Sequence, residues 1–203
     1  MNFAQFKHIT SKEKTVIEKQ RKTKETDIIV KLNCNETKIC TGVGFFDHML
    51  DSFAKHSQIN MEITCKGDLH IDAHHSVEDV GIVLGMAFCE LLYPANNIER
   101  FGSARVVMDE ALIECDLDIS ARAFLVCELG ELNGKVGEFD VELAEEFFRA
   151  FTLNAKLSTH IAKVRGQNKH HIIEGAFKAY AVAIRRALTI NTKAGTPSTK
   201  GVI

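Results

Sequence analysis

HHSVE, His74–Glu78, opens the stretch HHSVEDVGIVLGMAFCELL at 74–92, and HHIIE, His170–Glu174, opens HHIIEGAFKAYAVAIRRALTI at 170–190. The two words share the form HH-x-x-E and one spacing, since 170 − 74 and 174 − 78 both give 96. In the first, Val77, Val80, Leu84, Phe88 and Leu91 follow at helical spacing. A single HH-x-x-E reads as a polar helix start. Two copies, with two ligand types at one offset, read as an internal duplication.

Working outward, each word is preceded by the same order of elements. TDIIVKLN (26–33) alternates and is β-branched, and KICTG (38–42) follows a turn at Asn35–Glu36. FFDHMLDSFAKH (45–56) is helical in period, with Phe46, Met49, Leu50 and Phe53 on one side, and INMEITCKG (59–67) alternates again. The second half offers ARVVMDE (104–110), ALIECDLDI (111–119) and RAFLVCELG (122–130) as strands, the first two joined by a turn around Asp109–Glu110. DVELAEEFFRAFTLNAKLS (140–158) is the next helix and STHIAKVRG (158–166) the next strand. FFDHMLDSFAKH also resembles FFRAFTLNAKLS (147–158). The expected fold is therefore α+β, with internally duplicated β-α-β-α half-domains. Each half exposes an apolar helical face, so the helices pack between two sheets.

These elements divide the chain into an N-terminal extension (1–24), a first half-repeat (25–98), a second half-repeat (99–190) and a C-terminal tail (191–203). KEKTVIEKQRKTK (12–24) reads as a solvated or frayed terminus, and TKAGTPSTKGVI (192–203) has loop composition. The start of the chain lacks the apolar core of a signal peptide, and no run approaches the roughly twenty apolar residues that span a bilayer. With 25 basic and 27 acidic residues the net charge is −2, which argues against nucleic acid or an anionic membrane as partner. The six cysteines form no C-x-x-C pair and suit buried, reduced thiols in the cytoplasm.

Nine histidines are the unusual count, and four stand in the two HH pairs. At about 100° per residue, with His74 at 0°, His75 falls near 100° and Glu78 near 40°. All three share a face but the imidazoles diverge, so each HH pair suits two different metal ions. One helix supplies too few ligands for a six-coordinate ion, so two equivalent helices, from one chain or from neighbouring chains, would complete two sites. Imidazole and carboxylate without thiolate point to Mn, Fe or Zn. Asp72 and Asp79 are the nearby carboxylates available to orient ligand imidazoles.

FFDHMLDSFAKH, GDLHIDAHHSVEDVGIVLG, IERFGSA, HHIIEGAFKAYAVAIRRA and PSTKGV together resemble the imidazoleglycerol-phosphate dehydratase family of histidine biosynthesis, from about Glu25 to the C-terminus. The resemblance implies a ribosomal protein S5 domain 2-like fold and a homo-oligomer of 24 subunits, with two Mn2+ ions in each active site at a subunit interface. The implied ligands are His48, His74, His75, Glu78, His170, His171 and Glu174. An eighth family ligand, a histidine, precedes the FF of the second half; Glu146 of AEEFF stands there. The resemblance assigns Glu25 as acid/base, and His56, Arg100, Arg122, Lys178, Ser198, Thr199 and Lys200 to a phosphorylated imidazole substrate. Ser52 stands where the family carries glutamine. A non-catalytic histidine-rich metal-binding oligomer is the alternative, and it leaves the cluster of phosphate-type residues unused.

Overall fold

A computed structural model of the chain describes residues 15–93, 95–193 and 195–198. The first half comprises β1 (Ile17–Lys22), β2 (Thr26–Leu32), β3 (Lys38–Cys40), α1 (Gly44–Ser57), β4 (Met61–Gly67) and α2 (His74–Leu92). The second comprises β5 (Phe101–Met108), β6 (Ala111–Asp118), β7 (Phe124–Glu128), the short hairpin β8 (Lys135–Val136) and β9 (Phe139–Asp140), α3 (Leu143–Ala155), β10 (Ser158–Arg165) and α4 (Lys169–Ala187). Both main sheets have one topology, β1-β2-β4-β3 and β5-β6-β10-β7. In each, the last pair is parallel, because the helix between its strands makes a crossover rather than a hairpin.

Packing shows how deep the duplication runs. Both α1 and α3 end on a left-handed residue, Gln58 (φ 61°) and Lys156 (φ 55°), and 156 − 58 = 98. At that offset the buried Phe46, Met49, Leu50, Ser52, Phe53, Ala54 and Ser57 of α1 all meet buried positions of α3: Ala144, Phe147, Phe148, Ala150, Phe151, Thr152 and Ala155. The FF words lie 147 − 45 = 102 apart and are out of register by about one helical turn. They match in sequence because one turn restores the same buried face. The alternation in β2 and β6 aligns Thr26 with Ala111, an offset of 85.

The apolar helical faces close on one another between the sheets. Phe53 of α1 meets Phe88 of α2 at 5.9 Å, Phe151 of α3 at 5.6 Å and Tyr180 of α4 at 6.2 Å between ring centroids. The buried Tyr180 hydroxyl is satisfied by Thr152 Oγ1 (2.8 Å) and Thr159 Oγ1 (3.1 Å). Helices α2 and α3 run side by side in the same direction, with Gly81 against Phe147 and Ala150, and Gly85 against Phe151, Asn154 and Ala155.

Two readings need correction. Residues 17–22, assigned to a frayed extension, form β1 and pair along their length with β2. Its half-buried alternation, I-E-K-Q-R-K, carries too few apolar residues to read as a strand. The helix expected over 140–158 starts only at Leu143, and Asp140 instead pairs with Lys135 in the β8–β9 hairpin. Of the six free cysteines, Cys34, Cys65 and Cys115 are buried but Cys40 is exposed. The start of the tail returns against residues 97–99: Asn97 N donates to Gly195 O at 2.8 Å, and Ile98 bridges to Ile190.

A Cβ added at Gly85 would lie 2.6 Å from the Phe151 carbonyl oxygen and 3.0 Å from the Ala155 amide nitrogen, both backbone atoms that cannot step aside. Gly85→Ala should therefore destabilise the fold by about 1–3 kcal/mol despite its better helix propensity. Denaturant unfolding measures this, and a stability equal to or above wild type would contradict the packing.

Candidate active site

The start of α4 is organised by Asn168, whose side-chain oxygen accepts from His170 N (2.9 Å) and His171 N (3.4 Å). This cap sets both histidines on the first turn. His170 Nε2 lies 3.0 Å from Glu174 Oε2, and His48 Nε2, from α1, lies 3.6 Å from that same oxygen. Donor atoms of His48, His170 and Glu174 all fall within 4.8 Å of one another. Among the described residues this is the one such group. The other oxygen of Glu174 is held by Lys178 Nζ at 2.6 Å, one turn on. Burial, the largest single influence, raises the Glu174 pKa, but Lys178, His170 and His48 together outweigh it and the carboxyl is lowered.

His171 points its Nδ1 at Glu110 Oε2, 2.6 Å away, and its Nε2 toward Asp109 Oδ2 at 3.6 Å. Glu110 Oε1 in turn accepts the backbone N–H groups of Asn168 (2.8 Å) and Gln167 (3.2 Å). Hydrogen bonding from His171, then from these amides, pulls the Glu110 pKa down to about 2, and the same contact raises that of His171.

The α2 word forms a looser counterpart. His74 Nε2 lies 3.8 Å from Glu78 Oε2, and the backbone N–H of His74 donates to Asp72 Oδ1 at 2.8 Å. His75 Nδ1 lies 3.0 Å from Asp68 Oδ2, which raises its pKa, while its Nε2 faces Glu25 Oε1 at 3.9 Å. The offset of 98 makes Glu146 the mate of His48 (146 − 48 = 98), so it stands on α3 beside α2 as His48 stands on α1 beside α4. Glu146 is half-buried. Glu78 is the open member of its pair, its side chain 45% exposed against 7% for Glu174.

Arg100 adopts a left-handed backbone (φ 68°). It grips Asp118 through Nε (2.6 Å) and Nη2 (3.0 Å), while Nη1 donates to Pro197 O at 2.7 Å. Arg122 is exposed, with Nη2 3.7 Å from Asp118. Arg100, Arg122 and the tail up to Ser198 thus lie together, and Thr199 and Lys200 lie outside the described residues. Lys178 belongs instead with the Glu174 group. His56, further along α1, is half-buried, and burial, then Lys178 and Arg185, lowers its pKa. The Ser52 hydroxyl is buried and makes no hydrogen bond among the described residues.

The carboxylates expected to orient imidazoles were Asp72 and Asp79. Asp79 is buried against Arg21 and the Thr26 hydroxyl, tying α2 to β1 and β2. Asp72 meets the His74 backbone rather than a ring. The Nδ1 contacts come from Asp68 and Glu110, and Asp118 is a third carboxylate that sequence reasoning passed over. Asp109–Glu110 forms the expected turn, and the signal that finds Glu110 is its match to Glu25 at the strand offset of 85.

The duplicated sheet–helix fold gathers imidazoles and carboxylates at its helix starts, and comparison with known proteins places it among the hydro-lyases. The family model for imidazoleglycerol-phosphate dehydratase matches residues 41–184. The protein of that name from Sulfurimonas denitrificans is 65% identical over 191 residues, 93% of this chain and 100% of the relative. The Campylobacter curvus protein is 61% identical over 186 residues, 90% of this chain and 95% of its own. The crystal structure of the Staphylococcus aureus dehydratase superposes with a TM-score of 0.80 at 40% identity, covering 87% of this chain and 100% of that one. The chain belongs to the imidazoleglycerol-phosphate dehydratase family.

In metal-free protein the Glu110–His171 pair couples stability to pH. His171 is raised above its unfolded value of about 6.5, so its contribution is present below that pH and lost as pH rises through the folded value. Glu110 is depressed to about 2, so its contribution is lost only as pH falls through that region. Glu110→Ala should thus destabilise the metal-free protein more at about pH 5.5 than at about pH 8.5, and equal penalties in denaturant titrations would contradict the pairing.

Proposed function

We propose that the chain dehydrates imidazole glycerol phosphate to imidazole acetol phosphate in histidine biosynthesis, using two manganese ions per active site, in the cytoplasm. The carrying observation is the convergence of His48, His170 and Glu174, whose donor atoms lie within 4.8 Å of one another. This set fits a borderline-hard divalent ion: two imidazoles, one carboxylate and no thiolate. Lys178 occupies only Oε1 of Glu174 and leaves Oε2 facing both histidines. His171, whose ring diverges from that of His170, would serve the other ion, and His74, His75, Glu78 and Glu146 would divide between two ions in the same way. The metal would act as a Lewis acid on the imidazole and hydroxyl of the substrate.

The remaining work falls to side chains. Arg100, Arg122, Lys178, Ser198, Thr199 and Lys200 would bind the phosphate, where charge-assisted hydrogen bonds are strongest. The Asp118 clamp supports this by presenting Arg100 in one orientation and joining it to the tail at Pro197. His56 would contact the substrate from α1. Glu25 would move the protons; it is exposed at the β1–β2 turn, on the Nε2 side of His75. The loose first-half set and the exposed His48 (56%) support completion of each site by a neighbouring chain, and the resemblance sets the assembly at a homo-oligomer of 24 subunits.

Metal-free protein titrated with manganese should gain turnover on imidazole glycerol phosphate, and Glu25→Gln should lower kcat by about 10²–10⁴-fold with metal retained. Near-wild-type turnover of that variant removes Glu25 from the chemistry. If ions bridge chains, chelation should shift the sedimentation profile toward smaller oligomers, whereas an unchanged profile after verified metal removal refutes bridging.

A further inference from the structure

The turn between β1 and β2 and the turn between β5 and β6 occupy the same place in the two halves. Thr26 aligns with Ala111, so Glu25 aligns with Glu110, both at an offset of 85. The two carboxylates nevertheless do different things. Glu110 is saturated: one oxygen takes His171 Nδ1 at 2.6 Å and the other takes two backbone N–H groups at 2.8 and 3.2 Å. Glu25 stands exposed, 3.9 Å from the opposite ring nitrogen of its histidine, His75.

A second carboxylate explains the divergence. Asp68, on the loop between β4 and α2, holds His75 Nδ1 at 3.0 Å, the contact that Glu110 makes to His171. The corresponding loop of the second half is Gly166-Gln167-Asn168, which carries no carboxylate. It supplies instead the backbone amides that fasten Glu110. Each half therefore has one carboxylate on Nδ1 of its second histidine, drawn from the loop in one copy and from the turn in the other.

An ionised carboxylate only accepts, so in the neutral imidazole, the form that binds a metal, Nδ1 carries the proton and Nε2 keeps its lone pair. We propose that Glu110 and Asp68 are positioning residues that fix His171 and His75 in the metal-binding tautomer, and that recruitment of Asp68 left Glu25 free for proton transfer. The inference rests on the metal reading above.

Glu110→Gln is the sharp test. Three donors converge on the two Glu110 oxygens, and a carboxamide offers one oxygen and one NH2. If the oxygen keeps the backbone amides, the NH2 meets Nδ1 and drives the proton onto Nε2. If it turns to keep Nδ1–H, two amides face a donor. Manganese binding to metal-stripped full-length protein can be followed by loss of the free-ion EPR signal. Glu110→Gln should weaken one class of bound manganese by about 10–100-fold and leave the other at wild-type affinity. Asp68→Ala should likewise weaken the ion that His75 serves, and it carries the test if the glutamine variant does not fold. Wild-type affinities in both variants overturn the proposal, as does an equal weakening of both ions, which marks a general structural role. A wild-type chain that takes up no manganese overturns the metal reading itself.

Discussion

Everything in this fold depends on the closure of two helical faces that neither half can hide alone. Each sheet covers one side of its helices, and the other side is aromatic and aliphatic. Phe53, Phe88, Phe151 and Tyr180 come from four different helices and meet in one cluster. The approach is close because Gly81 and Gly85 bring α2 onto the backbone of α3. Burial of this apolar area drives the joining of the halves, since the large buried rings there have no alternative but water, and hydrogen bonds such as Arg185 to the His56 carbonyl add to it.

That closure places the chemistry. Pairing across the halves sets α1 beside α4 and α2 beside α3, so the first turn of each HH-x-x-E helix faces a helix from the other half. His48 reaches Glu174 only because α1 and α4 are neighbours. The same pairing puts Glu146 beside α2. A half folded alone would keep the contacts of each HH pair with its own turns and helix but lose the approach of His48 to Glu174.

The two copies have since drifted apart in charge. Glu174 is buried and neutralised by Lys178, whereas Glu78 is open and has Ile82 at the corresponding position. His48 has a carboxylate, Glu146, as its mate. Glu110 is pinned by three donors, whereas its mate Glu25 is exposed. A duplicated frame can tolerate such changes because the buried positions, which carry the folding free energy, remain matched between copies while the helix starts and turns are free to vary.

Much of this was legible in the linear chain. The periods of 2 and 3.6, the paired HH-x-x-E words and their common offset determine the duplicated α+β fold, both long helices and the imidazole–carboxylate character of the site, because periodicity and spacing are local properties. Tertiary structure alone decided the rest. β1 is too polar to read as a strand, and it forms because β2 offers it a ladder. The true 98-residue register of α1 and α3 is hidden by FF words one turn out of step, since a helix buries the same face after each turn. Which carboxylate meets which imidazole is likewise a matter of packing: Asp79, next to Glu78 in sequence, goes to the core, while Glu110, 61 residues from His171 in the chain, takes its ring. Sequence records which donors exist; only the packing of sheet turns against helix starts decides which of them meet.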